Sequence, residues 1–294
     1  MAQTLKKKRK KISVLPYFLI LPAMALFTLF TFYPFIKTIV LSFAVTNKQG
    51  NFSKWVGMAN WIRILSKKQT WDVVVITLKM AGINLVFTLG IAMIFALLAT
   101  DKKRGSKIYQ TMYALPMAIA STPAAAIFLF IYRQKNGLLN NILGLTNFSW
   151  LTTQKTAIWC VCAMSIWMHV GVSFIFLLVG FRNVPTDLIE SATLDGASRM
   201  QRIRHVLLPM ASPQIFFVLF LNIVSSFKNF AAIKLLTSGG PANSTKNLIY
   251  FIYENALING RFETACVQAL LLFALIFLTT RIQFILEKRM VHYQ

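Results

Sequence analysis

The sequence predicts an all-α membrane protein with six transmembrane helices and a two-helix loop on its cytoplasmic side. Two observations lead to this class. Of the 294 residues, 56% are hydrophobic and only 13% are charged, which is too little charge to cover the surface of a soluble domain. The hydrophobic residues also form long blocks, and a bilayer core about 30 Å thick needs roughly 20 apolar residues for each helix that crosses it.

The six predicted spans are residues 14–36, 74–99, 107–132, 157–180, 209–233 and 265–286. These blocks do not alternate between polar and apolar residues, as the strands of a membrane β-barrel do. The first block follows a run of basic residues, Lys6–Lys11, in the manner of a signal peptide. It is longer than the roughly 7–15 apolar residues of a signal peptide and lacks a small-residue cleavage site. We therefore predict a basic tail at residues 1–13 and a single membrane domain at residues 14–294.

The positions of Lys and Arg predict the orientation. The chain has 31 basic and 8 acidic residues. The basic residues are densest in the two tails and in the loops at 101–106 and 181–208, whereas the longer loops at 37–73, 133–156 and 234–264 carry fewer. Because basic residues are enriched on the cytoplasmic side of membrane proteins, both termini are predicted to be cytoplasmic. The excess charge then serves topology and contact with anionic lipids, and nucleic-acid binding is not predicted.

The third span has an unusual composition. It contains Pro116 and Pro123 among many alanines, and such a helix is expected to kink and to pack closely with its neighbours. A pore-lining helix and an ordinary tightly packed helix both fit this composition. The cysteines Cys160, Cys162 and Cys266 lie in apolar blocks without histidines at ligand spacing, so we interpret them as packing residues and predict no metal or cofactor.

The loop at about 185–208 holds three of the eight acidic residues, Asp187, Glu190 and Asp195. The spacing of Asp187 and Glu190 predicts a capping box at the start of a helix. Gly196 can adopt a left-handed conformation and end that helix. Local physics alone also fits an amphipathic loop at the membrane surface, in which Glu190 only caps its own helix.

A second short helix is predicted directly after the first. Ser198 and Gln201 have the spacing of a capping box, and Pro209 is predicted to open the fifth span. The result is a rigid knob of two helices with a sharp bend. The apolar residues that could contact a partner protein are Leu188, Ile189, Ala192 and Leu194.

This loop resembles the signature of binding-protein-dependent ABC importer permeases, which is Glu-Ala-Ala, three residues, Gly, nine residues, Ile, one residue and Leu-Pro. The matching residues here are Glu190-Ser191-Ala192, Gly196, Val206 and Leu208-Pro209, and Asp195 before the glycine is also typical of the family. Segments 55–61, 109–116 and 227–241 resemble the carbohydrate branch of the family. The chain is similar to maltose-type and glycerol-3-phosphate-type permease subunits, but it lacks the extra N-terminal helices of the eight-helix members.

The resemblance implies a channel-forming subunit of an ATP-driven importer in a bacterial cell membrane, with the fold of a type I ABC importer permease. It implies that an extracellular binding protein delivers a sugar or oligosaccharide, and that the partners are a second, different permease subunit and two cytoplasmic ATPase subunits. The residues implied to dock onto the ATPase are Glu190, Ser191, Ala192, Asp195, Gly196, Leu208 and Pro209. The sequence contains no phosphate-binding G-x-x-x-x-G-K-[ST] motif. We therefore expect another chain to hydrolyse ATP and do not expect this chain to be an enzyme.

Polar residues within spans are costly and often functional. Those of the fifth span recur at near-helical spacing, and their amides and hydroxyls suit sugar hydroxyls. They are Asn222, Ser225, Ser226 and Asn229. Lys228 could hold an anionic group or simply extend to water. Further candidates from other spans are Asn84, Trp167 and His169.

Three alternatives remain at this point. A permease of the same family could carry glycerol-3-phosphate or another organic solute. A stand-alone channel or secondary transporter would need an ion relay, for which the ionisable candidates are Lys79, His169 and Lys228. An intramembrane enzyme has little support, because paired carboxylates and the H-E-x-x-H and G-x-S-x-G motifs are absent from the sequence.

Overall fold

A computed structural model describes residues 15–47, 49–100 and 106–290. The predicted basic tail at residues 1–13 lies outside this range. Three spans are continuous α-helices: span 2 (Lys68–Ala99), span 4 (Gln154–Arg182) and span 6 (Phe262–Met290). Span 1 contains a π-helical turn and comprises Leu15–Phe27, Thr28–Phe32 and Tyr33–Ser42. Span 3 comprises Ser106–Ala114, the 3₁₀ turn Leu115–Ala118 and Ser121–Ile131, and span 5 comprises Ser212–Phe227 and Ala231–Leu236.

The predicted all-α membrane class with six spans is confirmed. Among the described residues, five helices are long and apolar enough to cross a membrane, and the bent halves of span 3 provide the sixth. The helices extend beyond the predicted bounds at several ends. Span 2, for example, begins at Lys68 and not at residue 74, because its first turn is polar and therefore lies outside the apolar block.

Span 3 is broken near its middle. Its halves are bent by 107°, and the break follows Ala118, where Ile119 and Ala120 adopt extended conformations. A proline cannot donate the helical hydrogen bond, so Pro123 is accommodated in the first turn of the second half. The predicted proline kink is therefore confirmed, but the break is sharper than a continuous span from 107 to 132 would allow.

A small hairpin follows span 1. The sequence did not predict this hairpin. Strands β1 (Ala44–Thr46) and β2 (Phe52–Trp55) are antiparallel, with Ala44 opposite Trp55. The buried amide of Asn60 fixes the hairpin by donating to the carbonyl oxygens of Ser42 at 3.1 Å and Ala44 at 2.8 Å. Apart from the short helices between spans 4 and 5, the short helices in the described part of the chain are Ala59–Leu65, Leu138–Leu143 and Leu248–Tyr253, and the last of these continues into the π-helical turn Glu254–Ile258.

Span 4 is the centre of the bundle. More than half of its most apolar 18-residue stretch is buried. Ala92, Ala96 and Ala99 of span 2 are fully buried in a cluster with Phe174 and Leu177 of span 4. Such small residues let helix backbones approach closely, so dispersion contacts can hold the helices together within lipid.

Two contacts join three spans next to the 185–208 loop. The Arg182 guanidinium, at the end of span 4, donates to the carbonyl oxygen of Ala99 at 3.0 Å. Gly180 packs on span 5 so closely that a Cβ added to it would lie 2.6 Å from Cβ of Gln214. The ends of spans 2, 4 and 5 are thereby held together beside the loop.

Span 1 projects from the bundle. Every side chain from residue 17 to residue 37 is exposed. Only its second half packs on span 6, where the rings of Phe35 and Phe273 are 5.3 Å apart. A groove of about 560 Å³ lies along this span, and its described lining residues all belong to span 1: Leu21, Met24, Ala25, Thr28, Leu29 and Tyr33.

Candidate functional site

The first helix of the 185–208 loop is Thr186–Leu194, and Pro185 occupies its N-cap position. The predicted capping box of Asp187 and Glu190 is wrong, because Asp187 already lies in the first turn and its side chain makes no capping hydrogen bond. A carboxylate in the first turn still stabilises a helix through the helix dipole. The sequence therefore predicted the presence of this helix correctly, but for the wrong local reason.

The predicted bend at Gly196 is confirmed. Gly196 has a φ of +78°, a conformation that L side chains disfavour. Its N–H donates to the Thr193 carbonyl at 3.1 Å, and the Ala197 N–H donates to the Ala192 carbonyl at 3.0 Å. This pair of bonds is the Schellman motif that ends many helices. The chain direction at the bend is therefore set by hydrogen bonds as well as by the glycine.

The second predicted capping box is also confirmed. The side chain of Gln201 accepts from the Ser198 N–H at 2.7 Å, and the Ser198 hydroxyl accepts from the Gln201 N–H at 3.4 Å. These residues start the helix Arg199–Arg202, and Arg202 reaches back to donate to the Thr193 hydroxyl of the first helix. The two helices are thus fixed relative to each other.

The predicted role of Pro209 at the start of span 5 is not confirmed. Pro209 lies in the short turn Leu208–Met210, which follows the π-helical turn Ile203–Leu207. Ala211 then interrupts the helix, and span 5 begins at Ser212 with Pro213 in its first turn. A proline tolerates that position because its missing N–H has no helical partner there, so the sequence argument applies to Pro213.

The first loop helix projects away from the bundle. None of the residues Thr186–Leu194 is buried, and Leu194 is 89% exposed. Glu190, Ser191, Asp195 and Gly196 are exposed, whereas Ala192, Leu208 and Pro209 are half-buried. Ile189 is half-buried against the core of spans 2, 4 and 5, so it anchors the loop. The exposed acidic and apolar side chains remain available to another protein.

A cavity of about 210 Å³ lies between spans 4 and 5, near the middle of each. Asn222 spans it by donating to the Ser173 hydroxyl at 2.9 Å and to the Val218 carbonyl at 2.9 Å. The Ser225 hydroxyl donates to the Leu221 carbonyl at 2.9 Å. The cavity is lined by His169, Val172, Ser173, Phe176, Val218, Leu221, Asn222 and Ser225. Its hydroxyl, amide and imidazole groups can exchange hydrogen bonds with a polyol.

The structure brings only some of the predicted solute residues together. His169, Asn222 and Ser225 line the cavity, and Ser226 is buried outside its lining. The helical spacing does not reach Asn229, because the helix ends at Phe227. Lys228 is the exposed C-cap residue, and Asn229 is buried where its carbonyl accepts from the Asn247 amide at 2.8 Å.

The other candidates lie outside this cavity. Trp167 is half-buried and packs edge-on against Phe128 at 5.7 Å. Asn84 is buried in span 2, and neither of its side-chain polar atoms has a hydrogen-bond partner within the described residues. Sequence reasoning missed Ser173, although its spacing of four residues from His169 places both side chains on one helix face.

The family model for the "Binding-protein-dependent transport system inner membrane component" matches residues 89–292. The chain is 31% identical over 289 residues to the sn-glycerol-3-phosphate transport system permease protein UgpA of Yersinia pestis bv. Antiqua (strain Antiqua), covering 96% of this chain and 97% of the relative. The protein of the same name from Pectobacterium atrosepticum is 32% identical over 285 residues, with the same coverage.

A solved structure has the same fold. It is a bacterial ABC transporter involved in the import of the acidic polysaccharide alginate, and it matches with a TM-score of 0.84 at 22% identity over 95% of this chain and 96% of the other. An amino acid ABC transporter matches with a TM-score of 0.52 over 79% of this chain. The chain belongs to the family of inner membrane components of binding-protein-dependent transport systems, and it is a permease subunit with the ABC importer fold.

Proposed function

We propose that this permease is one of two channel-forming subunits of an ATP-driven importer, and that its 185–208 loop docks onto a cytoplasmic ATPase subunit. The projecting first helix of this loop is the observation that carries the proposal. Glu190 and Leu194 are exposed on a helix that two capping motifs and the Arg202–Thr193 bond hold at a fixed angle. A rigid knob transmits a partner's movement to the spans to which it is attached, and here those are spans 2, 4 and 5.

We place the 185–208 loop and both termini in the cytoplasm. The loop and the end of span 4 carry Arg182, Arg199, Arg202 and Arg204, and the 101–106 segment at the same end of span 2 is also basic. This distribution supports the orientation, since basic residues are retained on the cytoplasmic side. Solute then enters from the end at which the hairpin and the N-terminal end of span 2 lie.

A second, different permease subunit completes the channel in this proposal. The exposed first half of span 1 supports a partner, because a helix that buries nothing in its own subunit is free to pack elsewhere. The small size of the cavity between spans 4 and 5 also supports a second subunit. At about 210 Å³ it is smaller than ligand pockets, which measure roughly 300–1,000 Å³. A partner subunit would enlarge it.

The proposed solute is a sugar or oligosaccharide that an extracellular binding protein delivers. The polar groups in the cavity lining are the neutral side chains of Ser173, Asn222 and Ser225, and His169 is the single titratable group among the described lining residues. The glycerol-3-phosphate permeases named above favour that solute as the second candidate. A ligand screen on the copurified binding protein distinguishes the two candidates. The proposed function expects that protein to bind a neutral sugar, whereas the second candidate expects it to bind a phosphate ester.

The docking role is tested by reversing one charge. Glu190→Lys is expected to lower solute uptake by at least about tenfold, because breaking a charge pair within an interface costs about 2–5 kcal/mol. Glu190→Gln keeps the size of the side chain and is expected to show an intermediate loss. Insertion into the membrane should be unchanged, since Glu190 is exposed in this subunit.

Uptake is measured in cells or proteoliposomes, alongside copurification of the ATPase subunit. Reduced copurification together with reduced uptake supports docking through Glu190. Normal uptake by Glu190→Lys, with the usual amount of ATPase bound, would show that this residue does not contribute to the contact.

A further inference from the structure

A second polar site lies at the opposite end of the spans from the 185–208 loop. This charged cleft, as we name it, has a volume of about 530 Å³. It lies among the helix Ala59–Leu65, the N-terminal end of span 2, the segment 246–259 and the first turns of span 6. Six charged side chains line it: Arg63, Lys67, Lys246, Glu254, Arg261 and Glu263.

Both carboxylates of the charged cleft are already paired. Lys246 is buried and donates to the two oxygens of Glu254 at 2.9 and 2.6 Å. Glu263 lies 3.7 Å from the Arg63 guanidinium and accepts from the Thr46 hydroxyl at 2.6 Å. The first pair ties the two halves of the segment 246–259 together, and the bonds of Glu263 join span 6 to strand β1 and to the helix Ala59–Leu65. These bonds fix the walls of the cleft.

Two cations at the cleft remain uncompensated. Lys67 and Arg261 are exposed, and neither forms an ion pair with a residue in the described part of the chain. Four cations therefore face two carboxylates. Because a cleft with protein walls concentrates the field of its charges, this surface attracts an anionic group.

The floor of the charged cleft is closed. Ile64, Thr70 and Gln268 are at most 2% exposed. The Asn255 amide donates to the Gln268 side-chain oxygen at 3.2 Å across the floor. Among the residues that the structure describes, none lines both this cleft and the cavity between spans 4 and 5. It can therefore hold a side chain inserted from outside, whereas a solute that entered it would have no way onward.

We propose that the charged cleft receives a carboxylate side chain of the extracellular solute-binding protein, and that Lys67 and Arg261 hold it. This inference rests on the proposed function, in which that protein docks at this end of the spans. The dead-end shape favours an inserted side chain over a passing solute. Paired charges across an interface guide encounter and fix orientation, which is what aligned delivery of solute requires.

The test uses the complete transporter, with both permease subunits and the ATPase pair, in vesicles of neutral phosphatidylcholine. ATPase activity is titrated with solute-loaded binding protein. For Lys67→Glu combined with Arg261→Glu, we expect the half-saturating concentration of binding protein to rise by about tenfold or more. The basal ATPase rate should not change. The control is Lys68→Glu, an exposed neighbour that does not line the cleft, and its shift should stay within about twofold.

Salt gives a second measurement. Added salt should raise the half-saturating concentration for the unaltered protein and have less effect on the double variant, because screening weakens exposed charge pairs. Equal titration curves for the double variant and the control would overturn the proposal. So would a shift that appears only when anionic lipid is added, since a lipid headgroup would then occupy the cleft. An unaltered transporter whose ATPase ignores the binding protein would overturn the proposed function itself.

Discussion

At the scale of single residues, the contact between Gly180 and Gln214 determines how closely spans 4 and 5 approach. A Cβ at residue 180 would lie 2.5 Å from Cγ and 2.6 Å from Cβ of Gln214, well inside van der Waals contact. Gly180→Ala is therefore expected to destabilise the protein by about 1–3 kcal/mol through overpacking. The measurement is thermal unfolding of the purified protein in detergent.

Gly90→Ala is the matched control, because Gly90 lies within span 2 and, among the described residues, no atom beyond the backbone of its own helix and its chain neighbours lies within 4 Å of an added Cβ. Alanine is the better helix former, so this control should unfold at the same temperature or slightly higher. Equal midpoints for the two variants would mean that the spans separate at Gly180 without cost.

The types of residue in the sequence predicted some of the side chains that line the cavity between spans 4 and 5. Asn222 and Ser225 were identified because polar groups are costly inside a span. Ser173 was missed, since one serine in an apolar block resembles a packing residue until its partner Asn222 is known. Asn229 does not line this cavity, because the helix ends at Phe227, and no feature of the sequence showed that end.

At the scale of elements, the bend at Gly196 is predicted to be the position in the loop least tolerant of side-chain shape. Among the described residues, no atom beyond the two chain neighbours lies within 4 Å of an added Cβ, but φ is +78°, so the cost comes from the backbone. Gly196→Val should cost about 1–2 kcal/mol of loop stability and lower the solute transported per ATP hydrolysed. Proteoliposome uptake and ATPase rates, measured on one preparation, give this ratio.

Gly196→Asn is the control for side-chain size, because asparagine tolerates the left-handed conformation better than a β-branched residue does. It should retain most of the coupling ratio. If the valine and asparagine variants behaved alike, the backbone conformation at this bend would not matter for transport.

The loop helices show which local signals can be trusted. Ser198 and Gln201 form the predicted capping box, and both of its bonds depend on residues three apart in sequence. Asp187 and Glu190 have the same spacing but no such bonds, because Pro185 starts the helix two residues before Asp187. A spacing pattern identifies a helix start only if no earlier residue has already begun the helix.

At the scale of the whole molecule, span 1 is predicted to pack against the second permease subunit. Ala25→Phe would fill the groove along its first half and should reduce copurification of that subunit severalfold. Leu26→Phe is the control, since Leu26 is exposed but does not line the groove. Affinity purification of the complex after membrane extraction measures both, and equal recovery would place the partner elsewhere.

Hydropathy predicted the helical spans because the hydropathy of each span is a local property of about 20 consecutive residues. The charged cleft could not be predicted in the same way. Its walls join distant segments, as in the bond between Thr46 and Glu263, which are 217 residues apart. The same limit applies to span 3, where Pro116 and Pro123 predicted a kink but the packing of Gly171 against the carbonyls of Tyr113 and Ala114 became visible only in the folded chain.

The break in span 3 also determines which side of the subunit faces protein or water and not lipid. Ala120 offers no capping side chain, so helix geometry leaves the N–H groups of Ser121 and Thr122 without an intrahelical acceptor. Hydrocarbon tails cannot satisfy such groups, and unwound backbone at this depth is tolerated only beside protein or water. The exposed flank around Ala120 and Thr122 must therefore be turned away from the lipid tails, and this fixes the rotation of the bundle about the membrane normal.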